Sequence, residues 1–122
     1  MLMRIGAGAV GAIHVYFAYA EMSDWTETSG ELLGFSAEQA ATTAVLGFNQ
    51  GAYNLFFALG LLFVASGFSA KSLARILAIF CLASLSAAGL VGLATVQHWL
   101  FLMQLVPAAG VLAFILFKRE EG

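Results

Sequence analysis

The chain has 122 residues, of which 61% are hydrophobic and only 10% charged, with a formal net charge of -2. A soluble domain carries roughly 25% charged residues, so this chain cannot coat itself with polar groups; a membrane protein follows, and the length leaves room for a single domain, residues 1–122, and no second one. The small net charge, with no clustered basic run, excludes a nucleic-acid binder, and the lone Cys81 excludes an intrachain disulfide or a cysteine-based zinc site.

The first apolar stretch, about residues 3–22, is long enough to cross a ~30 Å hydrocarbon core as a helix. Arg4, the apolar run and Ala18-Tyr19-Ala20 also have the form of a signal peptide with its cleavage site, but His14 is out of place in such a run, and a retained span is the better expectation. Residues 23–43 turn polar, with Asp24, Glu27, Glu31 and Glu38 and no Lys or Arg. Ser36-Ala37-Glu38-Gln39 has the form of a capping box, so a helix starts there and runs into a second span over about 44–68. Ser66-Gly67-Phe68-Ser69 and then Lys71 signal its exit. A third span covers about 73–96, Gln97-His98-Trp99 makes a tight turn, and a fourth covers about 99–117.

These spans predict an all-α membrane protein, four transmembrane helices in an up-down bundle. The basic residues are Arg4, Lys71, Arg75, Lys118 and Arg119. Four crossings put all of them on one side, which the positive-inside rule makes cytoplasmic. Both termini are then inside, and the acidic loop and the 97–99 turn outside. Trp25 and Trp99 fall at the outer interface, as an aromatic belt requires.

Depth can be counted from residue number. Gly47-Phe48-Asn49-Gln50-Gly51-Ala52-Tyr53-Asn54 puts amides into an apolar run, where they are costly unless satisfied. Asn49 and Gln50 fall in the outer half of the second span and Asn54 near its middle. At 100° per residue Asn49, Gln50, Tyr53, Asn54 and Phe57 share an arc of about 140°. His14 lies near the midplane of the first span, with Glu21 two turns further out on the same face. Thr95 and Gln97 end the third span, and Gln104 is about one and a half turns into the fourth. Strongly polar side chains thus gather in the outer half. Small residues mark the contacting faces: Ala7, Gly11, His14, Ala18 and Glu21 form one stripe, Gly47 and Gly51 a second, and Ser84, Ala88, Gly92 and Thr95 a third. Pro107 frees a carbonyl near Met103–Gln104.

Each of these residues also has a plain structural reading. Asn49, Gln50 and Asn54 serve as interhelical glue at about 0.6 kcal/mol each, Tyr53 packs with its hydroxyl bonded, and Glu21 is a solvated interfacial carboxylate. His14 is harder to set aside, because a titratable group near mid-membrane points to function. For a metal, only His14, Glu21 and His98 are plausible ligands, without a His-Glu-x-x-His pattern, so no metal is expected. Ser84 and Ser86 lack the Gly-x-Ser-x-Gly setting of a nucleophile, and no cofactor motif is present.

His14-Val15-Tyr16-Phe17, Glu21-Met22-Ser23-Asp24-Trp25, Asn49-Gln50-Gly51-Ala52-Tyr53-Asn54 with Phe56 to Leu61, Gly89 to Thr95, and Gln104-Leu105-Val106-Pro107-Ala108 resemble the domain-of-unknown-function 1304 family over nearly the whole chain. The resemblance implies a small integral membrane protein of bacteria, hence the cytoplasmic (inner) membrane, with a four-helix build. It implies no activity, substrate or cofactor.

The residues themselves lead to one expectation ahead of two others. The first is a polar pocket in the outer half that binds a small amphiphile or membrane lipid. His14 and Glu21 would act there as acid and base, in an isomerisation or hydration, and Asn49, Gln50, Tyr53, Asn54 and Gln104 would orient the ligand. The second is a small proton-coupled transporter working as a homodimer, and the third a structural subunit with no ligand. A site predicts a cavity open to the outer leaflet and lined by His14, Asn49, Gln50, Asn54 and Gln104; a structural cluster predicts every amide paired and no cavity; transport predicts a cavity that continues inward or forms between two chains.

Overall fold

The structure is a computed structural model and describes residues 1–118; the basic residue Arg119 lies outside that range. Among the described residues the secondary structure is entirely helical. Helix α1 covers Leu2–Ser23. A π-helical turn, Trp25–Ser29, in which the Ser29 N–H donates to the Asp24 carbonyl at 2.9 Å, leads into the one-turn helix α2, Gly30–Leu32. Helix α3 covers Ala37–Ser66, α4 Lys71–Thr95 and α5 Phe101–Phe117.

The local signals act as the sequence predicts at both ends of α3. The Gln39 N–H donates to Ser36 Oγ at 3.2 Å, and the Ser36 N–H donates to Gln39 Oε1 at 2.8 Å, which closes the capping box. At the other end Gly67 takes φ +85°, the left-handed conformation that a side chain disfavours, and the chain leaves the helix there. Arg4 fastens this exit to α1: its guanidinium donates to the carbonyls of Val64 at 2.5 Å and Ser69 at 2.8 Å. Helix α5 runs through Pro107 without a break.

Helices α1, α3 and α4 are long and apolar enough to cross a membrane; α5 is apolar but has 17 residues, about 25 Å at 1.5 Å per residue. The packing is that of helices in lipid. Buried positions are mostly small or aliphatic, among them Ala7, Ala18, Ala58, Ala74, Ala78 and Ala108, while Phe56, Ile76, Phe80 and Val106 lie more than half exposed. Tails of lipid are as apolar as leucine, so close approach of small residues, and not removal of large ones from water, holds such helices together.

Helix α1 packs chiefly on α3, and α4 on α5. The α1 stripe is as expected, with Ala7, Gly11, His14 and Ala18 buried. Gly11 lies against Ala58 and Leu61, and Gly51 against Ala18 and Met22. On α4 the contacting face is rotated from the expected one. Gly89 and Gly92 meet Leu105 and Phe101 of α5, whereas Ser84 and Ala88 are half-buried and Thr95 is exposed. The larger aliphatics explain the rotation: Leu82 and Leu85 are fully enclosed, and they carry Ser86 inward with them.

Trp25, expected at the outer interface, is covered by protein. It is buried, its indole covers Gly47, Nε1 donates to Thr43 Oγ1 at 3.1 Å, and the ring stands edge-on to Phe35 at 5.8 Å. The π-turn folds it back onto the first turns of α3, which extend past the end of α1. Trp99 is 62% exposed.

Candidate functional site

The apolar core occupies one half of the molecule. It comprises Ala7 and Val10 of α1, Leu61 and Val64 of α3, Ala74 to Leu85 of α4, and Ala108 and Ile115 of α5. His14 and Gln104 are the next residues on the buried faces of α1 and α5, each one helical turn beyond a core member, Val10 and Ala108 respectively. Two polar side chains, on different helices, are thus buried one turn beyond the core. His14 is 0% exposed and Gln104 5%.

Their hydrogen bonding is incomplete. His14 Nδ1 lies 2.9 Å from the Val10 carbonyl. A carbonyl can only accept, so Nδ1 carries the proton and Nε2 presents a lone pair. That Nε2 is buried and has no partner, and the amide nitrogen of Gln104 is likewise buried and unpartnered. One is an acceptor and the other a donor. An unsatisfied buried polar group costs roughly 1–3 kcal/mol. The edge of the Phe17 ring, 5.4 Å away by centroid, is the aromatic neighbour of the imidazole.

The second polar feature lies higher. Asn54 Nδ2 donates to Glu21 Oε2 at 2.6 Å, with Asn54 buried and Glu21 half-buried. Sequence counting places Asn54 near the middle of its span and Glu21 at the outer edge; the structure brings them to one level. The reason is that α3 begins at Ala37 and its first turns stand beyond the end of α1, so each α3 residue is met lower on its helix than the counting assumed. A bond from an amide to a carboxylate is among the stronger hydrogen bonds, about twice a neutral one.

The other expected site residues are not gathered in the same way. The buried face of α3 runs through Gly47, Gly51, Asn54, Ala58 and Leu61. Asn49 is about 140° and Tyr53 about 100° away from Asn54 around the helix. Accordingly Asn49 is exposed, Tyr53 is 61% exposed and Gln50 is half-buried. His14 and Glu21, on one face as expected, are separated by about 10 Å of helix rise; the first has its Nε2 unpartnered and the second is bonded to Asn54. Among the described residues no three of His, Cys, Asp or Glu come together as a metal site would need. Ser86 donates to the Leu82 carbonyl at 2.7 Å, a helix-internal bond.

Among the described residues, clefts open at both ends of the helices. A small one, ≈ 350 Å³, has Glu21, Trp25 and Phe48 on its walls near the end of α1. A much larger one, ≈ 1550 Å³, lies at the opposite end, around Arg4 and Lys71. Reading the sequence missed the second, because its basic residues are far apart in the chain.

A family model described as a protein of unknown function, DUF1304, matches residues 8–116. The chain belongs to the DUF1304 family. In this DUF1304 member the matched region contains His14 and Gln104, buried next to the core, and the Glu21–Asn54 pair. No curated protein and no solved structure matches the chain.

Proposed function

We propose that this protein crosses a bacterial cytoplasmic membrane four times, with both ends inside, and binds a small amphiphile in the outer half of the bilayer. The observation that carries the binding reading is the unpartnered pair at the top of the core, His14 Nε2 and the Gln104 amide. Interhelical glue would satisfy its polar atoms within the protein. Here a lone pair and an N–H are buried and left without protein partners, which suits a ligand group that both donates and accepts, such as a hydroxyl. The apolar core beneath and the exposed apolar helix faces suit the rest of an amphiphile.

The Glu21–Asn54 pair stands above this position, and its Glu21 lines the small cleft. It is placed to meet the more polar end of the same ligand. Acid–base chemistry shared by His14 and Glu21 requires a substrate that spans the ~10 Å between them. Binding requires only the open atoms beside His14 and Gln104, so it is the reading preferred.

The orientation rests on the basic residues. Arg4, Lys71, Arg75 and Lys118 all lie at one end, and Glu27, Glu31 and Glu38 are exposed at the other. In a Cys81→Ser background, a cysteine placed at Gln97 is expected to react in intact cells with a membrane-impermeant maleimide, and one at Ser72 is not. The reverse pattern would discard the orientation.

The binding reading is tested by mass spectrometry of small molecules that co-purify with the protein. Wild type is expected to carry a hydroxyl- or carbonyl-bearing amphiphile that the His14→Leu/Gln104→Leu variant loses. The same small molecules on both proteins would count against a site at these residues.

A further inference from the structure

The small cleft near the end of α1 holds a carboxylate among apolar and aromatic side chains. Its walls include Glu21, Met22, Ser23, Trp25, Val45 and Phe48, and no Lys, Arg or His is among the residues around it. Glu21 is half-buried, and its one hydrogen-bond or ionic partner among the described residues is Asn54. An amide donor steadies a carboxylate without cancelling its charge. Arg4, Lys71, Arg75 and Lys118 line the larger cleft at the opposite end, and the imidazole of His98 lies toward Gly34.

The aromatic walls are of two kinds. Trp25 is fixed: its indole lies over Gly47 and its Nε1 donates to Thr43 Oγ1. Phe48 is 51% exposed, so its ring is open to a ligand. Aromatic faces attract cations. A hard metal ion takes six or so oxygen ligands. Here Ser23 Oγ is engaged with the Tyr19 carbonyl at 2.5 Å, and no three of His, Cys, Asp or Glu gather among the described residues. One carboxylate beside aromatic rings fits an organic cation instead. The volume, ≈ 350 Å³, is at the small end of the roughly 300–1,000 Å³ of ligand pockets. It suits a head group rather than a whole amphiphile.

We propose that this cleft binds an alkylammonium group, with the Glu21 carboxylate as its counter-ion and Trp25 and Phe48 as its aromatic walls. The inference rests on the reading that a small amphiphile binds in the outer half, and it names the charge on the polar end of that ligand. Asn54 acts as a positioning residue, holding the carboxylate through its 2.6 Å bond. The other acidic residues described, Asp24, Glu27, Glu31 and Glu38, follow Glu21 in the same terminal region, and their field draws cations toward the cleft. A free amphiphilic amine and the head group of an amine-bearing lipid share this chemistry.

The test titrates the full chain, in a neutral detergent at constant ionic strength, with phenyltrimethylammonium or with benzenesulfonate, a similar ring of opposite charge. Trp99→Phe leaves Trp25 as the one tryptophan, and its emission reports on the cleft. Phenyltrimethylammonium is expected to change that emission saturably, and benzenesulfonate is not. Glu21→Gln keeps the size of the side chain and an oxygen for Asn54, and is expected to weaken the cation at least about tenfold, the difference between a charged and a neutral acceptor. Phe48→Leu is expected to weaken it about two- to fivefold. Thermal unfolding verifies that both variants fold. Phosphatidylethanolamine that competes with the probe assigns the ammonium to a lipid head group, and probe binding untouched by it assigns a free amine; either result supports the proposal. Equal responses to the two probes, no saturable response, or Glu21→Gln that binds as wild type would each overturn it. The small molecules lost by His14→Leu/Gln104→Leu are read separately by mass spectrometry, so failure of the cation site is distinguishable from failure of the site at His14 and Gln104.

Discussion

Gly51→Val is expected to destabilise the protein by about 3 kcal/mol, at the upper end of what overpacking costs. A carbon added at Gly51 would stand 2.5 Å from Met22 Cγ, 2.9 Å from the Ala18 carbonyl oxygen and 3.1 Å from Glu21 Cβ. Met22 can swing aside. The carbonyl oxygen belongs to the backbone of α1 and cannot, so α1 and α3 must separate. Asn54 is the next residue on the same face of α3, and its 2.6 Å bond to Glu21 depends on that close approach. Valine at Gly51 therefore removes packing and hydrogen bond together. Thermal unfolding in detergent measures the loss. The contrast is Gly110, around whose added carbon there is open space within 4 Å; Gly110→Ala is expected to leave stability unchanged or slightly raised, because alanine favours helix over glycine by about 1 kcal/mol.

Much of the architecture was legible because membrane helices announce themselves by length and composition. The expected spans at 3–22 and 73–96 lie within a few residues of Leu2–Ser23 and Lys71–Thr95, and the capping box at Ser36 marks the start of α3. The small residues of α1 also pointed correctly at its contact face. Helical periodicity was less informative on α3. Asn49, Tyr53 and Asn54 share one arc, but 140° of arc is wider than the face that a neighbouring helix covers, and of the three only Asn54 is buried. Which part of a wide polar arc turns inward is decided by Gly47 and Gly51, whose missing side chains admit Trp25 and α1.

Depth counting erred for a similar reason. It assumed that spans begin together at the membrane surface, whereas α3 starts well before α1 ends and meets it offset. The meeting of Asn54 with Glu21, and the folding of Trp25 onto Gly47, both follow from that offset. The basic cleft escaped notice because sequence reading used its cations only to assign a side of the membrane. Their convergence depends on how α1, α4 and α5 splay at that end, which no local pattern records. His14 and Gln104 were picked out as polar residues in an apolar setting, and the structure adds that each leaves a nitrogen without a partner.

That last feature is where a ligand site and a structural cluster make opposite forecasts, and Gln104→Leu separates them. The protein is stripped of bound small molecules in detergent and unfolded by heat or denaturant beside wild type. Leucine is close to glutamine in size and removes an N–H that is buried and unsatisfied, so the variant is expected to be more stable than wild type by about 1–3 kcal/mol. A loss of stability would mean that the amide is bonded within the protein, and would contradict the claim that it waits for a ligand.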